Sequence, residues 1–367
     1  MGFKCGFVGL PNVGKSTLFN ALTKMNVPMD NYPFCTIDPH VGTVEVPDRR
    51  LELLSEIYRP EKTIHTTLQF VDIAGLVDGA SEGEGLGNQF LSNIQAVDAI
   101  IHIVRCFEDK NVSHNYTTID PARDYEVIER ELLAKDLEVV KNRIQKVTRQ
   151  AKTGEIQYKK QLEVLNEIFA LLKEGKPAKS YHSHPEQADF IRELGLLTNK
   201  PVLIVGNISE DDIISDEKSQ LVKDFEKFAV STGNFFMTLS ANLELELAQL
   251  EGQEKKMYMQ EFGIQEIGLE KLIHAGYLLL DLITFYTVES NMCQAWTVEK
   301  NTHVDKASGA IHTSFPDRFI KAEVRHWKNV AAEKSDAALR EHGHLFIEGK
   351  KYIVQDGDVI TYKLANG

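Results

Sequence analysis

The sequence predicts an α/β chain: a doubly wound sheet, an inserted helical hairpin, and a small mixed β domain at the end. Three observations predict it. Short apolar strands ending in Gly- or Asp-containing loops alternate with helical stretches before residue 126 and again after residue 200. Between them lie two runs of apolar residues at helical heptad spacing. From Leu282 onward the pattern changes to paired short strands separated by turn residues.

The first strand is Phe3-Lys4-Cys5-Gly6-Phe7-Val8. The loop after it, Gly9-Leu10-Pro11-Asn12-Val13-Gly14-Lys15-Ser16-Thr17, contains the full phosphate-binding pattern Gly-x-x-x-x-Gly-Lys-Ser, and Leu18 to Leu22 continue as a helix. The glycines let backbone N–H groups converge on an anion at the positive end of a helix. Lys15 can then reach the β- and γ-phosphates, and the Ser16 hydroxyl can ligate Mg²⁺. We expect Asn12, Val13, Gly14, Lys15, Ser16 and Thr17 to hold a nucleoside triphosphate.

Asn31 to Pro39 form a loop rich in turn residues, placed so that Thr36 can close over Mg²⁺ and the γ-phosphate. The strand Thr67 to Val71 ends in Asp72-Ile73-Ala74-Gly75. Asp72 is positioned to hold Mg²⁺ and the Gly75 N–H to meet the γ-phosphate. Gly79, Gly83, Gly85 and Gly87 then suggest a second nucleotide-sensing loop. Leu76 stands where related hydrolases carry a water-orienting glutamine and has no donor or acceptor, so hydrolysis is expected to be slow or to draw on another group. His114, in the polar loop beyond the strand Ala99 to Arg105, is a candidate for that group or an ordinary surface histidine.

The base should be read after the strand Pro201 to Gly206, by Asn207-Ile208-Ser209-Glu210. Guanine-specific proteins place Asn-Lys-x-Asp there, with the aspartate accepting from N1 and N2 of guanine. Here Ile208 replaces the lysine and the longer Glu210 the aspartate, while Asn207 can meet the N7 and amino edge of adenine. Ser240 and Ala241, after the strand Asn234 to Leu239, are suited to pack on the base. ATP is the favoured nucleotide.

Leu133, Leu137, Val140, Ile144 and Val147, then Tyr158, Leu162, Leu165, Phe169 and Leu172, predict an antiparallel coiled-coil hairpin with its tip near Gly154. From Lys141 to Lys160 there are seven Lys or Arg and one Asp or Glu, in a chain whose net charge is −13. That tip is either a solvated helix face or a contact for RNA phosphates; the overall acidity argues against a wholly basic nucleic-acid binder. In the tail, Thr284 to Val288 pair with Gln294 to Val298, and Tyr352 to Val354 are expected to pair with Val359 to Tyr362 across an Asp-Gly turn. No stretch approaches the roughly 18 apolar residues of a membrane span, and no signal peptide is expected ahead of the first strand. Cys5, Cys35, Cys106 and Cys293 are scattered without metal spacing and read as reduced thiols of a cytoplasmic protein.

Taken together, Met1-Gly2-Phe3-Lys4-Cys5-Gly6, Asn31-Tyr32-Pro33-Phe34-Cys35-Thr36, Asp72-Ile73-Ala74-Gly75-Leu76-Val77 and Asn207 to Glu210 resemble the YchF/Obg-like ATPase family. The segment Gly309 to Ile320 is similar to that family's TGS domain. The resemblance spans nearly the whole chain. It implies a P-loop ATPase of the translation-factor class that acts on ribosomes or RNA, with a hydrophobic residue at the position of Leu76 as a family trait. It further implies His114 as the substitute for the missing glutamine and Asn12 as a holder of a stimulating K⁺ ion. The expected organisation is a nucleotide-binding domain in two parts, 1–125 and 200–280, a helical insertion at 126–199, and a β-grasp-like TGS domain at 281–367, with a monomer favoured. The alternatives are a GTPase of relaxed base specificity and a non-hydrolysing module whose nucleotide state sets partner binding.

Overall fold

The computed structural model describes residues 3–24, 40–73 and 86–365, except 110, 115, 153, 216 and 290, with residues 86–90 contributing backbone only. Thr36, Cys35, Gly75, Leu76 and the glycines at 79, 83 and 85 lie outside the described residues; Gly87 falls within a helix, Leu86–Gln95, rather than in a loop.

Among the described residues, twelve strands follow in chain order: β1 Lys4–Val8, β2 Val41–Glu45, β3 Lys62–Ile64, β4 Thr67–Asp72, β5 Ala99–Arg105, β6 Val202–Asn207, β7 Phe235–Leu239, β8 Leu282–Val288, β9 Met292–Glu299, β10 Phe319–His326, β11 Phe346–Glu348 and β12 Asp358–Leu364. They form two six-stranded sheets. The first has the order β2-β4-β1-β5-β6-β7, all parallel except β2, which runs antiparallel to β4. The sheet is therefore mixed, with an antiparallel edge. β5 is buried at every position, as a central strand with both faces covered must be. Helix Gly268–Leu279 packs on this sheet, and Gly276 is the close point, since a Cβ there would press on Leu68 and Cys5.

The helices include α1 Lys15–Lys24 after the first strand's loop, α2 Arg49–Tyr58, and the long pair α3 Pro121–Ala151 and α4 Ile156–Lys173. α3 begins at Asp120, whose carboxylate accepts from the Arg123 N–H, with Pro121 in the first turn. Its first turns bury Tyr125, Val127, Ile128 and Leu132 in the core of the first sheet. Its later turns bury Val140 and Val147 in a separate core with Val164, Leu165, Ile168 and Leu172 of α4. The two helices thus form a hairpin along the apolar seam read from the 4,3 spacing. The chain returns to α3 at Asp136, which is fully buried and accepts hydrogen bonds from the N–H groups of Leu197 and Thr198 and the Thr198 hydroxyl.

The second sheet has the order β11-β10-β12-β8-β9-β3, and its edge strand β3 comes from the early part of the chain. β8 and β9 pair antiparallel, with Thr284 opposite Thr297. The expected hairpin between 352–354 and β12 does not form. Tyr352 to Val354 make only an isolated bridge from Ile353 to His303, while β12 pairs with β10 and β8. The Asp-Gly turn docks on β8 instead: Thr284 N–H donates to Asp356 Oδ1 at 2.9 Å, and Gly357 N–H donates to the Thr284 carbonyl at 2.8 Å. Asp358 pins the preceding segment by accepting from Gln355 N–H and the Tyr352 hydroxyl.

α2 lies with this second sheet, burying Leu51 and Leu54 against Tyr286, Cys293, Ala295 and Val330. Asp48 caps α2, accepts from Arg50 and from the Tyr286 hydroxyl, and Arg50 reaches on to Asp356 at 2.6 Å. Burial pushes the thiols of Cys5 up to about 12 and Cys293 up to about 11, which leaves both inert as nucleophiles.

Candidate functional site

β1 leaves the first sheet between β4 and β5, at the point where the strand order reverses, so the loop after Val8 opens outside the carboxyl ends of the strands. Asn12 and Gly14 turn this loop with φ of 60° and 102°. Gly14 also needs the missing Cβ, because one would strike the Asn207 side-chain amide. Val13 is buried beneath the loop and Thr17 is half-buried on α1.

Lys15, the first residue of α1, is 7% exposed, and its ammonium donates to the carbonyls of Gly9 at 3.0 Å and Leu10 at 2.7 Å. Burial lowers its pKa to about 8, against the opposing pull of Asp72. The lysine is folded back on its own loop, where two neutral carbonyls hold it. An incoming polyanion offers it stronger partners. Phe7 and Asp72 are register partners in β1 and β4, which sets the Asp72 carboxylate beside the loop. Ser16 Oγ donates to Asp72 Oδ2 at 3.3 Å, while Asp72 Oδ1 is buried with no hydrogen-bond partner among the described residues. A hydroxyl beside an orphaned carboxylate oxygen is an oxygen donor set that suits a hard divalent cation.

The residues expected to read the base line a cavity of about 460 Å³. Phe107, Glu108, Asp109 and Asn111 line it together with Asn207, Ile208, Ser209, Glu210, Ser240 and Asn242. Asn207 is 4% exposed at the end of β6, and its amide joins two loops: Nδ2 donates to the Val13 carbonyl at 2.9 Å, and Oδ1 accepts from the Ala241 N–H at 2.9 Å. One Nδ2 hydrogen and one Oδ1 lone pair remain for a base, so half of the amide's hydrogen-bonding capacity is spent on joining the two loops. The physical reason is burial: the Val13 carbonyl and Ala241 N–H need partners there. Ile208 is buried, with its N–H on the Leu239 carbonyl. Glu210 opens helix Glu210–Ile214, and burial together with Glu246 and Asp211 raises its carboxyl pKa. Ser240 is buried at the start of helix Ala241–Leu247.

His114 lies one residue beyond the Asn12 contact, in which Asn12 Nδ2 donates to Ser113 Oγ at 2.9 Å. Its side chain is 7% exposed and turned to α3, with Nε2 on Asp124 Oδ2 at 2.8 Å. The structure thus brings Lys15, Ser16 and Asp72 together at one end, and Asn207, Ile208, Glu210 and Ser240 at the other.

Two family profiles match: one described as 50S ribosome-binding GTPase over residues 4–143, and the YchF GTPase C-terminal profile, described as a protein of unknown function, over 282–365. The ribosome-binding ATPase YchF of Bacillus subtilis is 44% identical, and that of Escherichia coli O157:H7 43% identical, each over 99% of both chains. The chain belongs to the YchF family. The solved structure of the Schizosaccharomyces pombe YchF GTPase matches with a TM-score of 0.88 at 34% identity, covering 99% of this chain and 98% of that one. The fold is accordingly the α/β P-loop GTPase fold of YchF proteins, with mixed sheets.

One part of this YchF site went unread in the sequence. Arg105 ends β5 almost fully buried and donates to the carbonyls of Phe107, Asp109 and Val112, each at 3.1 Å, with its guanidinium 4.6 Å from the Phe107 ring centre. It moulds the loop whose residues Phe107, Asp109 and Asn111 line the cavity. The signal for it was a lone arginine closing an otherwise largely apolar strand.

Proposed function

We propose that this chain is a Mg²⁺-dependent ATPase that acts as a conformational switch on ribosomes. The observation that carries the reading is the convergence of Lys15, Ser16 and the orphaned Asp72 oxygen on a loop that Asn207 ties to a cavity lined by Glu210, which stands in place of a guanine-reading aspartate. The bacterial relatives, named ribosome-binding ATPases, point the same way.

In this mechanism Lys15 exchanges its two loop carbonyls for the β- and γ-phosphates, and the backbone N–H groups of the loop close on the same anion. Ser16 and Asp72 would hold the Mg²⁺, joined by Thr36. When bound, that ion neutralises charge developing on the phosphate oxygens. Gly75 donates its N–H to the γ-phosphate. Water attacks in line with the β–γ bond, and with Leu76 inert, His114 orients it, so intrinsic turnover is slow. Asn12 additionally contributes to a K⁺ site.

The remaining organisation follows the family. Residues 1–125, apart from α2 and β3, which lie with the second sheet, and 200–280 form the nucleotide-binding domain, 126–199 the coiled-coil insertion and 281–367 a TGS domain, in a cytoplasmic monomer. The basic hairpin tip is the candidate contact for ribosomal RNA phosphates. No helix among the described residues is long and apolar enough to cross a membrane. A GTPase reading draws on the fission-yeast relative, which is named a GTPase. Calorimetric titration with ATP, GTP and their diphosphates decides between the two. ATP is expected to bind at least about tenfold tighter than GTP, a difference of about 1.4 kcal/mol; tighter GTP binding overturns the reading. Phosphate release no faster than that of Lys15→Ala would instead favour a non-hydrolysing switch.

A further inference from the structure

Asp124 has no part in the mechanism above, yet it is one of the most buried carboxylates among the described residues and faces the histidine assigned to the reaction. It is 2% exposed and sits in the first turn of α3. Its Oδ2 meets His114 Nε2 at 2.8 Å. Its Oδ1 receives Arg123 Nε at 3.1 Å and NH2 at 2.8 Å. The other ring nitrogen of His114, Nδ1, receives the Tyr116 N–H at 3.1 Å and lies 3.3 Å from the Tyr116 carbonyl.

This geometry silences the imidazole in either protonation state. In the neutral ring the Tyr116 N–H fixes the lone pair on Nδ1, so the proton is on Nε2 and points at Asp124. In the cation, Nε2–H donates to Asp124 and Nδ1–H to the Tyr116 carbonyl. Neither form leaves a nitrogen free to orient or deprotonate water.

We propose that Asp124 is a latch: it parks His114 away from the reaction in the nucleotide-free protein, and turnover requires the ring to leave it. The inference rests on the assignment of His114 to hydrolysis made above. Three features make the contact releasable rather than merely structural. Arg123 keeps its double contact with Oδ1, so departure of the imidazole does not leave the carboxylate uncompensated. Arg123 also stacks 4.0 Å from the Tyr116 ring centre and donates to the Thr118 carbonyl at 2.8 Å, so the frame around the latch is fixed independently of His114. Finally, the neighbouring Ser113 is bonded to Asn12 of the phosphate loop, so rearrangement of that loop pulls on the chain one residue from the ring. The opposing role, a carboxylate that orients a working base, requires a free imidazole nitrogen facing the phosphate loop, and both are taken.

The test is single-turnover ATP hydrolysis by the full chain without partners, comparing wild type, Asp124→Asn and His114→Ala at saturating Mg²⁺-ATP. In Asp124→Asn the side-chain amide cannot face Arg123 and accept from His114 equally well, so the latch loosens, and the rate is expected to rise about fivefold or more. An unchanged or slower rate, with His114→Ala nearly inactive, overturns the latch while leaving His114 in the reaction. If His114→Ala keeps wild-type turnover, both the assignment and the latch fall. A second readout needs no variant: in the nucleotide-free wild type, the nitrogen-15 spectrum should show His114 in one tautomer with a slowly exchanging Nε2 proton. Averaged tautomers and rapid exchange overturn the latch even if Asp124→Asn fails to fold.

Discussion

At the phosphate end of the site, nearly every group that can grip an anion comes from one loop and the first turn of one helix. At the proposed base end, the cavity is lined by Phe107 to Asp109 with Asn111, by Asn207 to Glu210, and by Ser240 with Asn242, three segments far apart in the chain. The phosphate end needs a sharp backbone turn and a buried lysine, and both are written into consecutive residues. The base end depends on buried groups that hold separate loops in register: Asn207 between Val13 and Ala241, and Arg105 beneath Phe107, Asp109 and Val112. The first kind of site is carried by the functional residues themselves. The second is carried by residues behind them.

The comparison predicts different failures at the two ends. The largest is at Lys15. Lys15→Ala removes the buried cation of the phosphate loop, and single-turnover phosphate release should fall by about 10²–10³-fold, the usual cost of losing one preorganised charge-stabilising donor. The fold should survive, because the lysine's present partners are two carbonyls that water can reach once the side chain is gone. A loss of less than about tenfold would mean that the backbone cradle alone binds and stabilises the triphosphate.

The same contrast explains what could be read from the sequence. The turn at Gly14, the strand ending at Asp72 and the paired helices were legible because each is a local pattern: a fixed glycine spacing, a strand-terminal carboxylate, or a 4,3 apolar repeat. The second sheet was read only in part. β3 has three residues and no apolar alternation, yet Lys62, Thr63 and Ile64 pair with Met292, Cys293 and Gln294, more than two hundred positions away. Such a strand is specified by its partner. The Asp-Gly turn misled for the same reason, because Asp356 and Gly357 answer to Thr284 on β8 rather than to each other's flanks. At the base, the identity of Asn207 was legible but its bonding was not; only the fold shows that its amide is already engaged.

Arg105 is the sharpest way to separate the two ends. Arg105→Met keeps the length and apolar stem of the side chain but removes the donor to the Phe107 and Val112 carbonyls and leaves that of Asp109 with only the Val112 N–H. Each buried group left unpaired costs about 1–3 kcal/mol before local relaxation. ATP affinity should fall by about 10–30-fold while affinity for tripolyphosphate stays within about twofold, both measured by calorimetry. Equal losses for the two ligands would show that the cavity and the phosphate loop are one cooperative unit, joined through Asn207.

A smaller effect should appear with pH. In the free protein the Lys15 pKa is lowered to about 8, and a bound triphosphate favours the ammonium. Below pH 8 the free protein already carries the proton, so affinity is flat with respect to this group. As pH rises through 8 the free lysine loses it, and binding must then recover a proton. ATP affinity should therefore decline above pH 8, approaching about tenfold per unit, with proton uptake visible in buffers of different ionisation enthalpy. Lys15→Arg, which stays charged throughout, should bind with no such slope. A slope that persists in the arginine variant belongs to another group.

The smallest expected change tests selectivity at the base end itself. Glu210 begins its helix beside Ser209, with its carboxylate one methylene farther from the backbone than an aspartate's would be. Glu210→Asp restores the side-chain length that guanine-specific proteins use at this position, so GTP affinity should rise by about three- to tenfold while ATP affinity changes little. The gain is bounded because Ile208 still occupies the lysine position and is buried there, with no charge to offer. It is bounded further because the cavity-lining loop shaped by Arg105 is unaltered. An unchanged ATP-to-GTP ratio would place the selectivity in residues 107–111 instead. Base preference would then be, like the cavity, a property of the supporting loop rather than of the motif that meets the nucleotide.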